Sequence, residues 1–405
     1  MEKIAVFGLG YVGLPLAELS KSKGFSVVGV DISKEALKKA KEVGVKTSSD
    51  DVKTVKNADI ILVCVPTPID AGNMPNLSAV KNACKSISKG LKKSQLIIIE
   101  STIYPGVTEE VVQPILEKSG LKAGVDFYLA HCPERIDPGN SKWNVGNLPR
   151  VVGGIGEKSV KKAADFYSKL VDAEVLELST VRAAEATKIM ENAFRDVNIA
   201  FMNEMAKSFD NMGIDITEVI KAAATKPFAF MPHYPGCGVG GHCIPVDPYY
   251  LIEEAKKKGF NHRFLSLARE INNSMPEYTV RKVIEGLNEA GLSVKGAKVT
   301  VLGYAYKRDV EDIRESPAIK VVDGLQKLGA KVEIYDPYIK DKSTVKSLED
   351  ALKSDCIVLV TDHTEFRGMD YGKLKAKVVV DGRNCLDKDK IKSKGIVYRG
   401  VGRNT

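Results

Sequence analysis

The fold is decided by residues 3–31, which read KIAVFGLGYVGLPLAELSKSKGFSVVGVD. The apolar run at 3–7 predicts a short strand, and the glycine-rich turn at 8–13 leads into a helical pattern. A second apolar run at 25–30 then ends on Asp31. A strand, a turn, a helix and a strand in this order predict the opening unit of a doubly wound α/β sheet.

The rest of the chain repeats this pattern around one long helix. Further apolar strands are expected at 59–65 and 95–100, each after a helical segment, which favours a parallel sheet covered on both faces. Residues 180–212 then carry a single unbroken helical pattern that suits a connector and a dimer face. A second strand, turn, helix and strand follow at 297–336, with two more strands at 356–361 and 377–380.

These elements predict an α/β protein with two Rossmann-like doubly wound sheets, joined by a long central helix and a helical middle domain. We expect three domains at this length. Their bounds are 1–179 for an N-terminal Rossmann domain, 180–290 for a central helical domain with a cysteine loop, and 291–405 for a C-terminal Rossmann-like domain.

Composition excludes several classes of function. The formal charge of +8 comes from lysines interspersed with acidic residues, without an aromatic-studded basic stripe, so we expect no nucleic-acid partner; a phosphate-bearing substrate suits such an excess. The N-terminus runs directly into a strand and no apolar run approaches about 20 residues, so neither a signal peptide nor a membrane span is expected. Seven scattered cysteines show neither disulfide nor metal-ligand spacing, and we expect reduced thiols, no metal and a cytoplasmic protein.

The turn at 8–13 predicts a dinucleotide site. Gly8, Gly10 and Gly13 allow a tight turn and close backbone approach, so that a pyrophosphate can lie at the helix N-terminus beside Tyr11 and Val12. Asp31 is placed to accept hydrogen bonds from ribose hydroxyls and to repel a 2′-phosphate, which favours NAD over NADP. The later strand ends are expected to line the nicotinamide side, and their residues are Val65, Pro66, Thr67, Ser101 and Thr102.

The stretch at 236–248 is the most informative part of the sequence for the chemistry. It reads GCGVGGHCIPVDP and places the thiol of Cys243 in a glycine-rich loop four residues before Asp247, although a buried structural cysteine is the plain alternative. Lys188 and Asn192 lie one helical turn apart on an otherwise apolar helix, which favours an enclosed polar pair over a solvated stripe. Glu134 follows a short strand at the same crevice edge, where an isolated glutamate is usually solvated.

Taken together, these motifs resemble the UDP-glucose/GDP-mannose dehydrogenase family over nearly the full length. The matching motifs are Gly8-Leu-Gly-Tyr-Val-Gly-Leu, Cys64-Val-Pro-Thr-Pro, Glu100-Ser-Thr, Pro133-Glu, Ala184-Glu-Ala-Thr-Lys-Ile-Met-Glu-Asn-Ala-Phe, Gly240-Gly-His-Cys, Lys307-Arg-Asp-Val-Glu-Asp-Ile-Arg-Glu-Ser-Pro and Asp381-Gly-Arg-Asn. The sequences of residues 133–139, 194–201 and 241–250 are similar to those of the family branch that acts on UDP-N-acetylhexosamines, UDP-ManNAc or UDP-GlcNAc.

The resemblance implies a role for each site residue. Cys243 would be the nucleophile, Lys188 and Asn192 would hold the oxyanion, and Asp247 with Lys188 would handle protons through water. Glu134 would assist thioester hydrolysis, with Thr102 supporting the water. Arg314 would reach the cofactor pyrophosphate. The other implied substrate contacts are Arg135, His233, Tyr234, Gly238, Gly240, Lys307 and Arg383.

Two departures from the family pattern concern the substrate and the cofactor rim. Residues 226–234 read KPFAFMPHY where members acting on UDP-glucose carry an arginine, and this apolar segment suits an acetamido methyl group, with His233 as a polar contact. The stretch between Asp31 and Asp59 is shorter than the family's, which predicts a more open cofactor rim.

Three other functions remain open at this stage. UDP-glucose is the main alternative substrate. A hydroxyacid-type dehydrogenase with one hydride transfer would need no thiol, and a non-enzymatic dinucleotide sensor would need none of the polar residues named above.

Overall fold

A computed structural model describes residues 1–70, 74–136, 140 and 142–403. The chain divides into two compact units, one of Met1–Glu191 with Tyr249–Lys258, the other of Asn192–Pro248 with Gly259–Thr405. Each unit contains one sheet, so the expected pair of doubly wound sheets is confirmed. The division into three domains stays a prediction.

The first unit is built on an eight-stranded sheet of order β3-β2-β1-β4-β5-β6-β7-β8. Its strands are β1 Lys3–Phe7, β2 Ser26–Val30, β3 Lys46–Thr47, β4 Ile60–Val63, β5 Leu96–Ile99, β6 Tyr128–His131, β7 Arg150–Gly154 and β8 Val175–Glu177. Among the described strand pairs of this sheet, β6–β7 alone is antiparallel, and within residues 132–136, 140 and 142–149 no helix separates the two strands. Two apolar clusters of buried residues pack on this sheet, as both-faced coverage requires.

The helices of the first unit follow its strands. They are α1 Gly13–Ser22, α2 Lys34–Glu42, α3 Asp51–Asn57, α4 Ser78–Gly90, α5 Gln113–Leu116 and α6 Glu157–Leu170, with a π-helical turn at Thr108–Val112 before α5 and a 3₁₀ turn at Glu117–Ser119 after it. The π-helical turn is fixed by Glu185, whose carboxylate accepts hydrogen bonds from the N–H groups of Gly106 (2.6 Å) and Thr108 (2.8 Å). Glu185 therefore ties the loop after β5 to the long helix that follows.

The expected long helix is present as α7, Val181–Met212, which begins in the first unit and ends in the second. It is followed by α8 Ile216–Ala223, α9 Asp247–Lys257 and α10 Arg263–Glu289. None of the helices among residues 1–70, 74–136, 140 and 142–403 combines the length and the apolar character that a membrane crossing needs.

The second unit contains a five-stranded parallel sheet of order β10-β9-β11-β12-β13. Its strands are β9 Lys298–Leu302, β10 Lys331–Tyr335, β11 Cys356–Leu359, β12 Val378–Asp381 and β13 Val397–Gly400. Its helices are α11 Pro317–Lys327, α12 Leu348–Ala351, α13 Thr364–Arg367 and α14 Lys388–Lys392, with a 3₁₀ turn at Tyr371–Lys373.

In both sheets the chain turns at a glycine directly after the first strand of the sheet. Gly8 has a φ of 91°, and a Cβ there would lie 2.7 Å from the carbonyl oxygen of Cys64. Gly303 has a φ of 85°, and its Cβ would lie 2.6 Å from Thr361. Glycine is required at both positions because the chain is left-handed there and the next strand lies against it.

Candidate functional site

The three glycines of the 8–13 turn are required for different physical reasons. A Cβ on Gly13 would lie 1.8 Å from the carbonyl oxygen of Gly8, so α1 could not pack against β1 with any other residue. A Cβ on Gly10 would meet nothing within 4 Å. Because packing explains Gly8 and Gly13 but not Gly10, the open space at Gly10 is where a ligand's pyrophosphate would fit.

The acidic residue after β2 is held in place by this turn. Asp31 Oδ2 accepts a hydrogen bond from the N–H of Leu9 (2.7 Å), and Oδ1 accepts one from the N–H of Ser33 (2.7 Å). Tyr11 is more than half exposed, and Val12 caps α1 with no side-chain hydrogen bond. The turn therefore presents an oriented carboxylate beside helix N–H groups, which fits the ribose and pyrophosphate of a dinucleotide.

The two strand-end loops are joined to each other. Ser101 Oγ donates to the carbonyl oxygen of Val65 (2.7 Å), and Thr67 Oγ1 donates to that of Thr102 (2.7 Å). The hydroxyl of Tyr250 donates to the Thr67 carbonyl. These bonds bring the predicted nicotinamide-side segments, including Pro66, to one edge of the first sheet.

Glu134 lies in a buried charge cluster. One carboxylate oxygen accepts from the N–H groups of Arg135 (2.6 Å) and Ile136 (2.7 Å), and the other accepts from Arg150 at 2.6 Å. Arg150 also lies 3.8 Å from Glu100. A buried arginine between two carboxylates fixes their positions, and Glu134 is enclosed rather than solvated.

Three members of this cluster were missed from the sequence, namely Glu100, Arg150 and Tyr167. The hydroxyl of Tyr167 donates to Glu100, and all three side chains are buried. Burial raises the pKa of Glu100 to about 7, although Arg150 opposes the shift. Glu100 appeared only as part of a family motif, and Arg150 begins a strand with no recognisable pattern. The end of the matching motif, Asp137 to Gly139, lies outside the described residues.

Lys188 is also enclosed within the first unit. Its side chain is 9% exposed, and its charge acts on Glu100 and on His131. Burial, with a smaller contribution from Lys188, lowers the pKa of His131 to about 3, so this histidine is neutral. Nearby, Arg135 forms an ion pair with Glu191 at 3.3 Å. Lys188, the lysine of the polar pair predicted on α7, is therefore enclosed rather than solvated.

The cysteine loop brings three predicted residues together in the second unit. The Nδ2 of Asn192 donates to Asp247 Oδ2 at 2.6 Å, and Asp247 is 2% exposed. The carbonyl oxygen of Cys243 accepts from the N–H groups of Val246 (3.0 Å) and Asp247 (2.8 Å). Cys243 thus begins the turn that starts α9, with the Asn192–Asp247 pair attached to it.

The other six thiols are poor nucleophiles. Burial raises the pKa of Cys237 to about 11 and that of Cys84 and Cys385 to about 12. It also raises the pKa of the remaining thiols, which are Cys64, Cys132 and Cys356. All seven cysteines are free, and Cys243 is partly exposed. Because the thiolate is the attacking form, burial disfavours these six thiols as nucleophiles and leaves Cys243 as the candidate.

The glycines before Cys243 pack against the second sheet's loops. A Cβ on Gly240 would lie 2.7 Å from Tyr306, and a Cβ on Gly236 would lie 2.7 Å from a guanidinium nitrogen of Arg383. Gly238 has a φ of 130°. Gly236 and Gly240 are therefore required because the loop packs closely against other parts of the protein. This packing places Gly240 against Tyr306, which precedes Lys307, and Gly236 against Arg383.

A cluster of arginines surrounds one carboxylate after β11. Arg308 contacts both the carbonyl and the carboxylate of Asp362, Arg367 reaches the carboxylate at 2.6 Å, and Arg383 reaches it at 3.3 Å. Asp362 is buried, whereas the arginine side chains are 40% (Arg308), 46% (Arg367) and 39% (Arg383) exposed. The edge of the second sheet is therefore positively charged and suits a phosphate-bearing ligand.

Three further predicted residues, Arg314, His233 and Tyr234, lie in loops of the second unit. Arg314 pairs with Asp312 through Nε at 3.0 Å, and its carbonyl oxygen accepts from Gly241 N–H at 2.9 Å. His233 Nδ1 lies 3.0 Å from the carbonyl oxygen of Met231, and Tyr234 is exposed. Within the described ranges, His, Cys, Asp and Glu form no group of three that could hold a metal ion.

Three family models match the chain. The UDP-glucose/GDP-mannose dehydrogenase NAD binding domain matches residues 2–52 and 34–171, the central domain of that family matches 182–274, and its UDP binding domain matches 300–388.

Similar proteins carry related names. A UDP-N-acetyl-D-mannosamine dehydrogenase of Pyrococcus horikoshii is 38% identical, with 99% of each chain covered. A UDP-N-acetyl-D-glucosamine 6-dehydrogenase of Pseudomonas aeruginosa is 35% identical, with 96% of this chain and 98% of the relative covered. A solved structure of the UDP-D-ManNAc dehydrogenase from Pyrococcus horikoshii has a TM-score of 0.91 at 37% identity and covers 99% of each chain.

Proposed function

Because the chain belongs to the UDP-glucose/GDP-mannose dehydrogenase family and is an NAD-dependent nucleotide-sugar dehydrogenase, we propose that it oxidises C6 of a UDP-N-acetylhexosamine, UDP-ManNAc or UDP-GlcNAc, to the uronate. The observation that carries this substrate class is the 35–38% identity, over nearly the whole chain, to enzymes named for these two sugars. The apolar segment at 226–234 supports the same choice, since it offers no arginine for a sugar hydroxyl.

We assign cofactor binding to the first sheet. Gly10 leaves room for a pyrophosphate, and Asp31 is oriented for a ribose. NAD⁺, when bound there, supplies the hydride acceptor for both oxidations, two per sugar. The segments Val65–Thr67 and Ser101–Thr102 are assigned to its nicotinamide side, and Arg314 to its pyrophosphate.

We assign covalent catalysis to Cys243. After the first oxidation the sugar carries a C6 aldehyde, and the Cys243 thiolate adds to this carbon to form a thiohemiacetal. Lys188 and Asn192 donate hydrogen bonds to its oxyanion, so that the second oxidation leaves a thioester on sulfur. The Asn192–Asp247 hydrogen bond supports this role, because it fixes the amide near the turn that contains Cys243.

Thioester hydrolysis needs one water molecule. Water adds to the acyl carbon, the C–S bond breaks, and the uronate leaves while Cys243 regains its thiolate. We assign Glu134, supported by Thr102, to orient this water, and Asp247 with Lys188 to pass its protons to solvent. The fixed position of Glu134 beside Arg150 favours orientation of the water by this carboxylate.

We assign further residues to substrate binding. Lys307 and Arg383 bind the nucleotide diphosphate, and the charged edge around Asp362 supports this assignment. Arg135, His233, Tyr234, Gly238 and Gly240 complete the proposed sugar site. We also propose functional bounds of 1–179, 180–290 and 291–405 for NAD binding, the central domain and UDP binding, which the matched family models support.

We further propose a homodimer through α7. Phe194 and Phe201 are seven residues apart, lie on one helix face and are each about half exposed. A second copy that packs this face would remove both rings from water. Seven free thiols support a reducing compartment, and we place the enzyme in the cytoplasm.

The test is to replace Cys243 by serine and use Cys385→Ser as the matched control. Wild type and control should form about two NADH per sugar from UDP-ManNAc or UDP-GlcNAc, with less turnover of UDP-GalNAc and UDP-glucose. Cys243→Ser should lose several orders of magnitude in rate while it still binds both ligands, because a hydroxyl ionises far less readily than a thiol. Uronate formation at a near wild-type rate would refute the covalent mechanism, and UDP-glucose as the best substrate would refute the substrate class.

A further inference from the structure

His363 is a fully buried histidine of the second unit that none of the roles above uses. It follows β11 and has an exposed fraction of 0%. Its Nδ1 lies 2.8 Å from the backbone nitrogen of Asp309, and its Nε2 lies 3.0 Å from Asp336 Oδ2. The ring therefore connects the end of β10 to the segment that carries Lys307.

These two contacts determine the ring's protonation. A backbone N–H can only donate, so Nδ1 must be an unprotonated acceptor. Burial alone would raise the pKa of Asp336, but the hydrogen bonds from His363 and from backbone N–H groups outweigh it and hold the pKa at about 2. Asp336 is therefore an ionised acceptor, and Nε2 must carry the proton. His363 is neutral, in the Nε2–H tautomer.

The segment that His363 holds is in an unfavourable conformation. Asp309 has a φ of 56°, in the left-handed region that residues with a Cβ rarely adopt. The carboxylate of Asp309 accepts from the N–H of Thr364 at 3.0 Å, and Arg308 Nε donates to the carbonyl oxygen of Asp362 at 2.9 Å. Residues 362–364 thus bind 308 and 309 from one side, and the hydrogen bond to His363 offsets the cost of the Asp309 conformation.

Asp336 fixes the other end of the same loop. Its Oδ2 accepts from the N–H groups of Tyr304 (2.6 Å) and Ala305 (2.8 Å) as well as from His363. Lys307 lies between these two anchored points. Its position along the chain is therefore set by Asp336 before it and by His363 after it.

We propose that His363 is a positioning residue of the nucleotide-sugar site, which acts through Asp309 to hold Lys307 in its binding conformation. The proposal rests on the substrate role proposed above for Lys307. The requirement is specific: position 363 must offer an acceptor at the location of Nδ1. A donor at the location of Nε2 is secondary, since Asp336 keeps four backbone N–H partners without it.

Two substitutions separate these requirements. In His363→Asn the side-chain carbonyl oxygen falls where Nδ1 was, whereas in His363→Gln the amide falls nearer to Nε2 and leaves the Asp309 N–H without its acceptor. We expect His363→Gln to raise the KM for the UDP-sugar roughly tenfold, because the loss of one hydrogen bond changes an equilibrium by about this factor. The kcat and the KM for NAD should stay within about twofold of wild type. His363→Asn should stay within about threefold of wild type in all three constants. Both variants are compared by thermal unfolding to confirm that they fold.

Nitrogen-15 NMR of histidine-labelled wild-type enzyme tests the tautomer independently of activity. The chain has five histidines, and the signals absent from His363→Asn identify residue 363. An unprotonated Nδ1 and a protonated Nε2 are expected, and a protonated Nδ1 would overturn the proposal.

Lys307→Ala separates the two proposals. If Lys307→Ala raises the KM for the UDP-sugar while His363→Asn and His363→Gln share one KM, the positioning role of His363 is wrong and the role of Lys307 stands. If Lys307→Ala leaves this KM unchanged, the substrate role of Lys307 is wrong, and the positioning proposal falls with it.

Discussion

Replacement of Glu100 by glutamine should change how the protein's stability depends on pH. Glu100 is 1% exposed, with Tyr167 donating to its carboxylate and Arg150 at 3.8 Å. Burial raises the pKa of Glu100 to about 7, and the charge of Glu134 adds to this shift. The charges of Arg150 and Lys188 and the hydrogen bond from Tyr167 oppose it. The ordinary value, which holds in the unfolded chain, is 4.5.

The sign follows from proton binding. Between pH 4.5 and about 7 the folded state keeps a proton on Glu100 that the unfolded state has released. The free energy of unfolding therefore falls as pH rises through this window and levels off above it. A difference of 2.5 pKa units corresponds to about 3 kcal/mol. Glutamine removes this contribution because it has no proton to release.

Urea unfolding of wild type and Glu100→Gln at pH 4.5 and pH 8 measures the effect. The stability of Glu100→Gln relative to wild type should increase by about 3 kcal/mol between the two pH values. Glu35→Gln is the control, because a hydrogen bond from Lys39 lowers the pKa of Glu35 below its ordinary value of 4.5. Its contribution to stability is lost mainly below pH 4.5, so the stability of Glu35→Gln relative to wild type should be nearly the same at the two pH values. Parallel pH profiles for wild type and Glu100→Gln would refute the reasoning.

Three further substitutions test the first unit. Gly10→Ala should fold normally but raise the KM for NAD at least tenfold, whereas Gly13→Ala should fail to fold, since its Cβ would lie 1.8 Å from a carbonyl oxygen; equal Tm values for the two would contradict this. Asp31→Ala should weaken NAD binding and relax discrimination against NADP, measured by fluorescence titration, and a wild type that already uses both cofactors would show this assignment to be wrong. Arg150→Met should cost about 3–5 kcal/mol of unfolding free energy, because it leaves buried carboxylates unpaired, and an unchanged Tm would exclude that account.

Much of the fold followed from periodicity alone. The strand-turn-helix units at both ends of the chain and the 32-residue helix α7 were expected from the sequence within a few residues, because buried parallel strands are continuous apolar runs and long helices need no distant partner. The antiparallel β6–β7 pair and the edge strand β13 were not, since short strands at a sheet edge take their pairing from neighbours distant in sequence.

The site divides in the same way. The sequence by itself determined that Gly8, Gly13, Asp31 and Cys243 lie at turns or strand ends, since local spacing is enough to place them there. The packed chain alone decided which groups surround them. It placed Arg150 between Glu134 and Glu100, 16 residues from the first and 50 from the second, and it brought His363 to Asp309 across 54 residues. Burial, which removes water as a competing partner, is what gives these contacts their strength, and burial is a property of the folded chain that no local pattern records.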